Sequence, residues 1–424
     1  MRKRFWRVVG IEARDWETQL EKVPYLLKFL ISRGATIDRW KSLTVCAKQP
    51  EVLYAIIGFV NARPAYALRF VSCRWKVRGY NSDLEELRSL EYPHLLSESY
   101  SFSSPTTPKL RCVEFEAVPW GYVFNRPSPI FTGLTSLTLT SSYAYCSPGN
   151  LHKLLMSNPE LEYLSLEISK RAAHEFENEI GLPELATFNV CLSHLRSLSF
   201  ITGSFTAWAL RMIKIVEAPV LKTLVISGRF KSLHGSMRLV NHFMKGIPGT
   251  PGDETTSGNS SIRRKLAYPL LDELDISKLS MTPSRALTEI LLSLPTITKL
   301  KIDGNHRIGQ LGKTPYVLPN LTHIYCFRVS YQQLGNMLRR RASAGFPVKV
   351  VYLDQTGFQG VIGLHLPENV KYIWHNCNPE NESDQDESEP DSGEDGGRDE
   401  DILAGLGDDE SAMEEESSAS GYSS

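Results

Sequence analysis

The chain has 424 residues, of which 42% are apolar and 22% charged, the composition of a folded soluble protein with enough apolar material for a sizeable core. Its formal charge of −1 hides a segregation: from Asn378 onward there are 18 acidic residues against the single Arg398, so the body before it is basic and the tail strongly acidic. No run of about 18 consecutive apolar residues is present to form a membrane-spanning helix, and seven dispersed cysteines without a CxxC pair exclude a disulfide framework. Reduced thiols, mostly buried as small hydrophobes, and a cytoplasmic or nuclear location are expected.

The first residues, "MRKRFWRVVGIEARDW", start basic, but Glu12, Arg14 and Asp15 interrupt any apolar run of signal-peptide length. Residues 1–36 read as an N-terminal helical cap or remnant linker. "IDRWKSLTVC" at 37 then reads as a strand, and "PEVLYAIIGFVNARP" at 50 as a helix.

From residue 107 one phrase recurs: an aliphatic residue, two free positions, a second aliphatic residue, one free position and another apolar residue. It is written as "TPKLRCVEFE" at 107, "FTGLTSLTLT" at 131, "NPELEYLSLE" at 158 and "LSHLRSLSFI" at 192. Further copies are "APVLKTLVIS" at 218, "YPLLDELDIS" at 268, "LPTITKLKID" at 294 and "LPNLTHIYCF" at 318. Weaker echoes are the segment at 37, "FPVKVVYLD" at 346 and "ENVKYIWHN" at 368. The leading aliphatics of the eight strong copies, Leu110 to Leu321, are spaced by 24, 27, 34, 26, 50, 26 and 24 residues. Most spacings lie near the period of a leucine-rich repeat, about 20 to 29 residues.

The spacing of 34 leaves room for a poor copy, "LPELATFNV" at 182, and the spacing of 50 for either two periods or one period plus an insertion. "KGIPGTPGDETTSGNSS" reads as such an inserted loop, over about 245–264.

Helices are expected between the phrases. In "SMTPSRALTEILLSLP" Thr282 is placed as N-cap and Pro283 at the first helical position, with Leu287, Ile290, Leu291 and Leu294 on one face. "SYQQLGNMLRRRASAG" ends in a basic last turn followed by Gly345. Strand, turn and helix units of this kind bury their apolar faces only against neighbours, so the expected fold is an α/β leucine-rich-repeat solenoid: a curved parallel sheet with outer helices and irregular repeats, spanning 37–377. Residues 378–424 have almost no aromatics and are expected to form a disordered acidic tail, in which Ser383, Ser388, Ser392 and Ser411 each have an acid three residues on.

The repeats and the segment "IDRWKSLTVCAKQPEVLYAIIGFVNARPAYALRFVSC" resemble the leucine-rich F-box-like proteins of fungi, over roughly residues 25–377. In that family a basic residue and Trp precede "SLTV", and the repeats start on proline, as in "APVLKTLVIS" and "LPNLTHI". The resemblance implies a non-enzymatic substrate-binding module of an F-box-type ubiquitin ligase receptor. An F-box itself is not visible in this chain, so docking on a Skp-type adaptor is expected only if such a box lies upstream. A repeat body followed by an acidic tail is also similar to acidic-tailed leucine-rich nuclear proteins, which bind basic partners such as histones.

No catalytic constellation stands out. "GQLGKT" at 309–314 fails as a phosphate loop because Arg307 occupies the place of the first glycine and Pro315 follows it. "HNC" at 375–377 lacks further ligands at zinc spacing, and paired Glu85 and Glu86 read as solvated. No cofactor or metal is expected. The basic runs at 2–4, 263–265 and 339–341 read as surface turns, and nucleic acid is an improbable partner.

In a strand, side chains alternate, so the free positions of the phrase project from the open, concave face of the sheet. There the central copies carry mostly Ser and Thr, while the late ones carry charges and then aromatics, the composition that protein interfaces favour. The candidate partner-binding residues are Tyr163, Glu273, Asp275, Lys299, Lys301, His323, Tyr325 and Phe327.

Overall fold

The structure is a computed structural model describing residues 16–47, 50–61, 63–75, 107–118, 131–141, 148–168, 189–205, 207–230, 233–245, 268–281, 284–354 and 367–375. The chain divides into two units, Met1–Cys377 and Asn378–Ser424, and the second lies outside the described residues. So do the basic runs at 2–4 and 263–265, the pair Glu85 and Glu86, the caps Thr282 and Pro283, and the insertion beyond Lys245.

The recurring phrase opens on a tight turn. In "APVLKTLVIS" the Leu221 N–H donates to the Ala218 carbonyl at 3.2 Å, with Pro219 at the second turn position, where a fixed φ favours the turn. The same bond closes Thr107 to Leu110, Asn158 to Leu161, Tyr268 to Leu271, Leu294 to Ile297 and Leu318 to Leu321, at 3.1 to 3.4 Å. Each of these turns carries proline second, and each closing aliphatic is buried. Strand placement follows at once: Lys222 and Thr223 both donate to Arg196 O, Asp272 and Glu273 to Lys222 O, and Thr298 and Lys299 to Asp272 O. One carbonyl of the preceding strand thus receives two N–H groups and sets the register of the next.

The strands are β1 (Ser42–Ala47), β2 (Phe70–Trp75), β3 (Cys112–Glu116), β4 (Ser136–Ser141), β5 (Tyr163–Ile168), β6 (Val190–Cys191), β7 (Ser197–Ser204) and β8 (Val216–Glu217). They continue with β9 (Thr223–Arg229), β10 (Glu273–Asp275), β11 (Leu279–Ser280), β12 (Lys299–Asp303), β13 (His323–Phe327), β14 (Val350–Asp354) and β15 (Lys371–His375). Twelve of them form one path in chain order, β1-β2-β3-β4-β5-β7-β9-β10-β12-β13-β14-β15, with every neighbouring pair parallel. All eleven phrases and echoes lie on this path, and β2 fills the place between the echo at 37 and the copy at 107.

Register partners along the path form the core. Leu137, Leu164, Leu198, Leu224, Leu274, Leu300 and Ile324 stand side by side on seven consecutive strands, each 1% exposed or less. Each such side chain removed from water contributes about 1.5 to 3 kcal/mol. No single turn and strand gains this alone, because the neighbours are supplied by the copies before and after it.

Helices join the strands: α1 (Trp16–Ser32), α2 (Pro50–Asn61), α3 (Pro148–Met156), α4 (Ala207–Ile215), α5 (Leu233–Lys245), α6 (Ser284–Leu292), α7 (Asn305–Leu311) and α8 (Tyr331–Ser343). They pack on one another in succession, α1 on α2, α3 on α4, α4 on α5, α5 on α6 and α7 on α8, as an outer layer over the leucine face. In α6 the expected stripe holds, with Leu287, Ile290, Leu291 and the following Leu294 all buried. In α8 the basic last turn and the left-handed Gly345, at φ 84°, appear as expected.

Two expectations change, and the open alternative for the spacing of 50 closes. The spacing of 34 puts no further strand between β5 and β7, which pair directly, and the end of the segment at 182 enters β6, which pairs with β8 in a separate two-stranded sheet. The spacing of 50 is one period with an insertion, because β9 pairs directly with β10 and the intervening chain contains α5. The run Arg339 to Arg341 is not a surface turn throughout, because Arg341 is fully buried. Its guanidinium donates to Leu311 O, Val317 O, Leu318 O and Phe346 O, at 3.3, 2.8, 2.8 and 3.2 Å.

Candidate functional site

The parallel register that stacks the leucines on one face places the free positions in equally strict rows on the other. One row reads Tyr163, Ser197, Thr223, Glu273, Lys299, His323, Val350 and Lys371 on consecutive strands β5 to β15. The row beside it reads Ser165, Ser199, Val225, Asp275, Lys301, Tyr325, Tyr352 and Ile373. Ser165, Ser199 and Ser227 are buried even here, since small side chains sit below their neighbours.

Seven of the eight residues expected from sequence fall together on β10, β12 and β13. The structure separates Tyr163 from them: it lies on β5, three strands from Glu273 or about 14 Å at the usual interstrand spacing, flanked by serines. It is 39% exposed and remains a lone aromatic.

Lys301 is the hub of the cluster. Its ammonium lies 3.1 Å from Glu273 Oε1 and 3.8 Å from Asp275 Oδ2, and 5.5 Å from the centroid of the Tyr325 ring. Tyr325 in turn stacks on Tyr352, with centroids 4.0 Å apart and planes 4° from parallel. Burial, with the hydrogen bond and charge of Tyr352 and then the Glu273 carboxylate, pushes the Tyr325 phenol up to about 12, so it stays neutral under physiological conditions.

The flanks are tied in the same way. Lys299 Nζ is 3.7 Å from Asp272 Oδ2, whose other oxygen receives the Thr298 hydroxyl. Arg328 forks onto both oxygens of Asp303, the register partner of Phe327. The Thr322 hydroxyl and His323 Nδ1 are 2.8 Å apart. Exposed ion pairs of this kind are worth about 0 to 1 kcal/mol each, so they order the side chains more than they hold the fold. With these carboxylates and ammonium groups engaged inside the cluster, the rings of Tyr325, Tyr352 and Phe327 are the components that a partner can cover without first breaking an ion pair.

Below the cluster, β10 stops after Asp275. The Asp275 carboxylate accepts Ser277 N–H at 3.0 Å and Ser277 O–H at 2.7 Å, which turns the chain so that β11 pairs with the end of β9. Arg307, from α7, holds this turn by donating to Ile276 O at 2.9 Å and to Leu279 O. This accounts for the arginine at the place where a phosphate loop requires glycine: residues 305–311 are helical, and the side chain is a structural clamp.

Sequence reasoning missed Tyr352, Asp272 and Arg328. Tyr352 was within reach, because "FPVKVVYLD" carries the phrase's alternation even though its turn lacks the leading leucine. Asp272 and Arg328 sit just before and just after strands, where alternation says nothing about direction. Among the described residues there is no cluster of three His, Cys, Asp or Glu side chains that fits a metal ion. No protein-family model matches the sequence, and no curated protein matches it either.

Proposed function

We propose that this chain is a protein-recognition module of the leucine-rich-repeat type, built to hold a substrate for an F-box-type ubiquitin ligase. One observation carries the reading: Glu273, Asp275, Lys299, Lys301, His323, Tyr325 and Phe327 occupy adjacent register positions on one sheet face, next to the stacked Tyr352. Aromatics beside ordered charges are the usual centre of a protein interface, where a few rings carry most of the affinity. The sequence period, the proline-led turn and the succession of turn, strand and helix support the repeat assignment. The module itself has no chemistry to perform, and ubiquitin transfer would be supplied by partners.

Affinity capture of the tagged chain followed by mass spectrometry tests the class. A Skp-type adaptor and a cullin among the captured proteins support it, whereas core histones in their place would favour an acidic-tailed histone binder. For whichever partner is captured, Tyr325→Ala with Phe327→Ala should weaken binding at least about a hundredfold, the loss of two hot-spot rings. A double variant that binds like the parent would remove this face from consideration.

A further inference from the structure

A second surface lies at the opposite end of the path, where α1 and α2 end and β1 to β4 begin. The carbonyl ladder brings these points together: Arg69 N–H donates to Lys41 O at 2.8 Å, Arg111 N–H to Arg69 O at 3.0 Å, and Thr135 N–H to Arg111 O at 2.8 Å. Lys41, Arg69 and Arg111 therefore stand just before consecutive strands, about 4.8 Å apart along the rim. Arg39 and Lys109 occupy the turns that lead into β1 and β3, and all five are exposed. Among the described side chains at the helix ends and in the turns before β1, β2 and β3, Asp38 is the one carboxylate; Glu114 and Glu116 lie within β3, where Glu116 pairs with Arg74.

The helix ends add two more cations in a particular arrangement. The Arg33 guanidinium lies 5.1 Å from the centroid of the Phe29 ring, and that of Arg63 lies 4.4 Å from the Phe59 ring. A guanidinium stacked on a ring keeps its N–H edges free and gives up little further freedom on meeting a carboxylate. Position at helix C-termini, where positive charge offsets the macrodipole, explains Arg33 and Arg63 locally. It does not explain Lys41, Arg69 and Lys109, which precede strands, whereas Arg111 donates to Leu110 O and Gly133 O at 3.1 and 3.0 Å.

We infer that this rim is a docking surface for an acidic, carboxylate-rich peptide segment of a protein partner. The choice over nucleic acid rests on the rings. Single-stranded nucleic acid stacks successive bases on successive open rings, whereas here Phe29 and Phe59 carry arginines and Tyr25 carries Lys28 at 5.8 Å, which leaves the exposed Tyr66 to stack a base. The composition, rich in Arg and with an exposed Tyr66, is that of a protein interface. This inference does not depend on the β10 to β14 face and stands or falls separately from it.

The test uses the full chain, a fluorescent deca-glutamate peptide and a deoxythymidine decamer, at about 50 mM and 200 mM salt. The peptide should bind more tightly than the decamer and weaken as salt rises. Arg69→Glu with Lys109→Glu should reduce peptide affinity at least about tenfold, by reversing two charges in the row, while Lys349→Glu, on an exposed turn at the far end of the sheet, should leave it within about twofold. Arg69→Gln with Lys109→Gln, which only neutralises the charges, should lose about threefold and guards against misfolding of the reversed variant. Tighter binding of the decamer, no binding of the peptide at low salt, or equal losses from Lys349→Glu and the double reversal would each overturn the inference.

Discussion

Arg341 offers the sharpest test of how the late strands are held. Its side chain is fully buried in α8 and reaches the carbonyls of Leu311 at the end of α7, of Val317 and Leu318 in the turn before β13, and of Phe346 beyond its own helix. Burial draws its pKa down to about 10, which still leaves it charged at neutral pH. Arg341→Met keeps much of the volume and removes every donor. Leu318 O retains the Leu321 N–H, so the loss falls on Leu311 O and Val317 O, whose residues are buried. Two buried carbonyls stripped of a charged donor cost about 1 to 3 kcal/mol each, and removing a buried guanidinium returns part of its desolvation penalty. The net expectation is a destabilisation of about 2 to 4 kcal/mol, with Arg341→Lys between the two because an ammonium reaches fewer of the carbonyls. Urea unfolding followed by circular dichroism measures the total, and amide exchange over 312–321 should report the opening first. A methionine variant as stable as the parent would show that the guanidinium cancels its own desolvation and pins nothing, and the reasoning would be wrong.

Three further outcomes follow from single contacts. His242 is driven down to about 4, first by burial and then by repulsion from Lys214, and its Nε2 lies 3.5 Å from the Tyr268 hydroxyl. The unfolded chain therefore binds this proton first, so the stability is complete above about pH 6.5 and is lost as pH falls towards 4; the urea midpoint should drop between pH 7 and 5 by more in the parent than in His242→Gln, by about 2 kcal/mol. Gly228, in β9 at φ 150°, has no room for a side chain, because an added Cβ would lie 2.6 Å from Thr202 O and 2.8 Å from the Phe205 ring, which itself stacks on Phe230. Gly228→Ala should cost about 3 kcal/mol or more in the same unfolding assay, and a neutral result would contradict the close approach of β7 and β9. Tyr325 should remain mostly protonated at pH 11 in site-labelled NMR, whereas Tyr352→Phe should lower its titration part of the way towards the usual tyrosine range, since burial, the largest cause, remains.

The scaffold was legible because its determinants are local and repeated. A proline-led turn, a closing aliphatic and two alternating apolar positions recur in nearly the same order, and each writes a bond or a buried contact that the next copy needs. What the phrase could not reveal was pairing between copies. Two strands 34 residues apart and two strands 50 residues apart are both direct neighbours, because helices and insertions between strands can lengthen without disturbing the carbonyl that sets the register. The candidate face was legible for the same reason the core was, since alternation names both. The bridging of two acids by Lys301, and the ring stacked on Tyr325, depend instead on which strand lies next, information that sits one repeat away in sequence.

Arg341 and Arg307 show the limit of reading charge from sequence. Both belong to basic or polar surroundings that read as surface, "RRRASAG" and "NHRIGQLGKT", yet each guanidinium is used on backbone carbonyls of a turn. Arg307 clamps the turn that shortens β10, and Arg341 clamps the one that precedes β13. The break at β10 lies directly beneath Glu273 and Asp275, and the turn before β13 leads into His323, Tyr325 and Phe327. The two clamps therefore hold the short strand and the turn from which Glu273, Asp275, His323, Tyr325 and Phe327 follow.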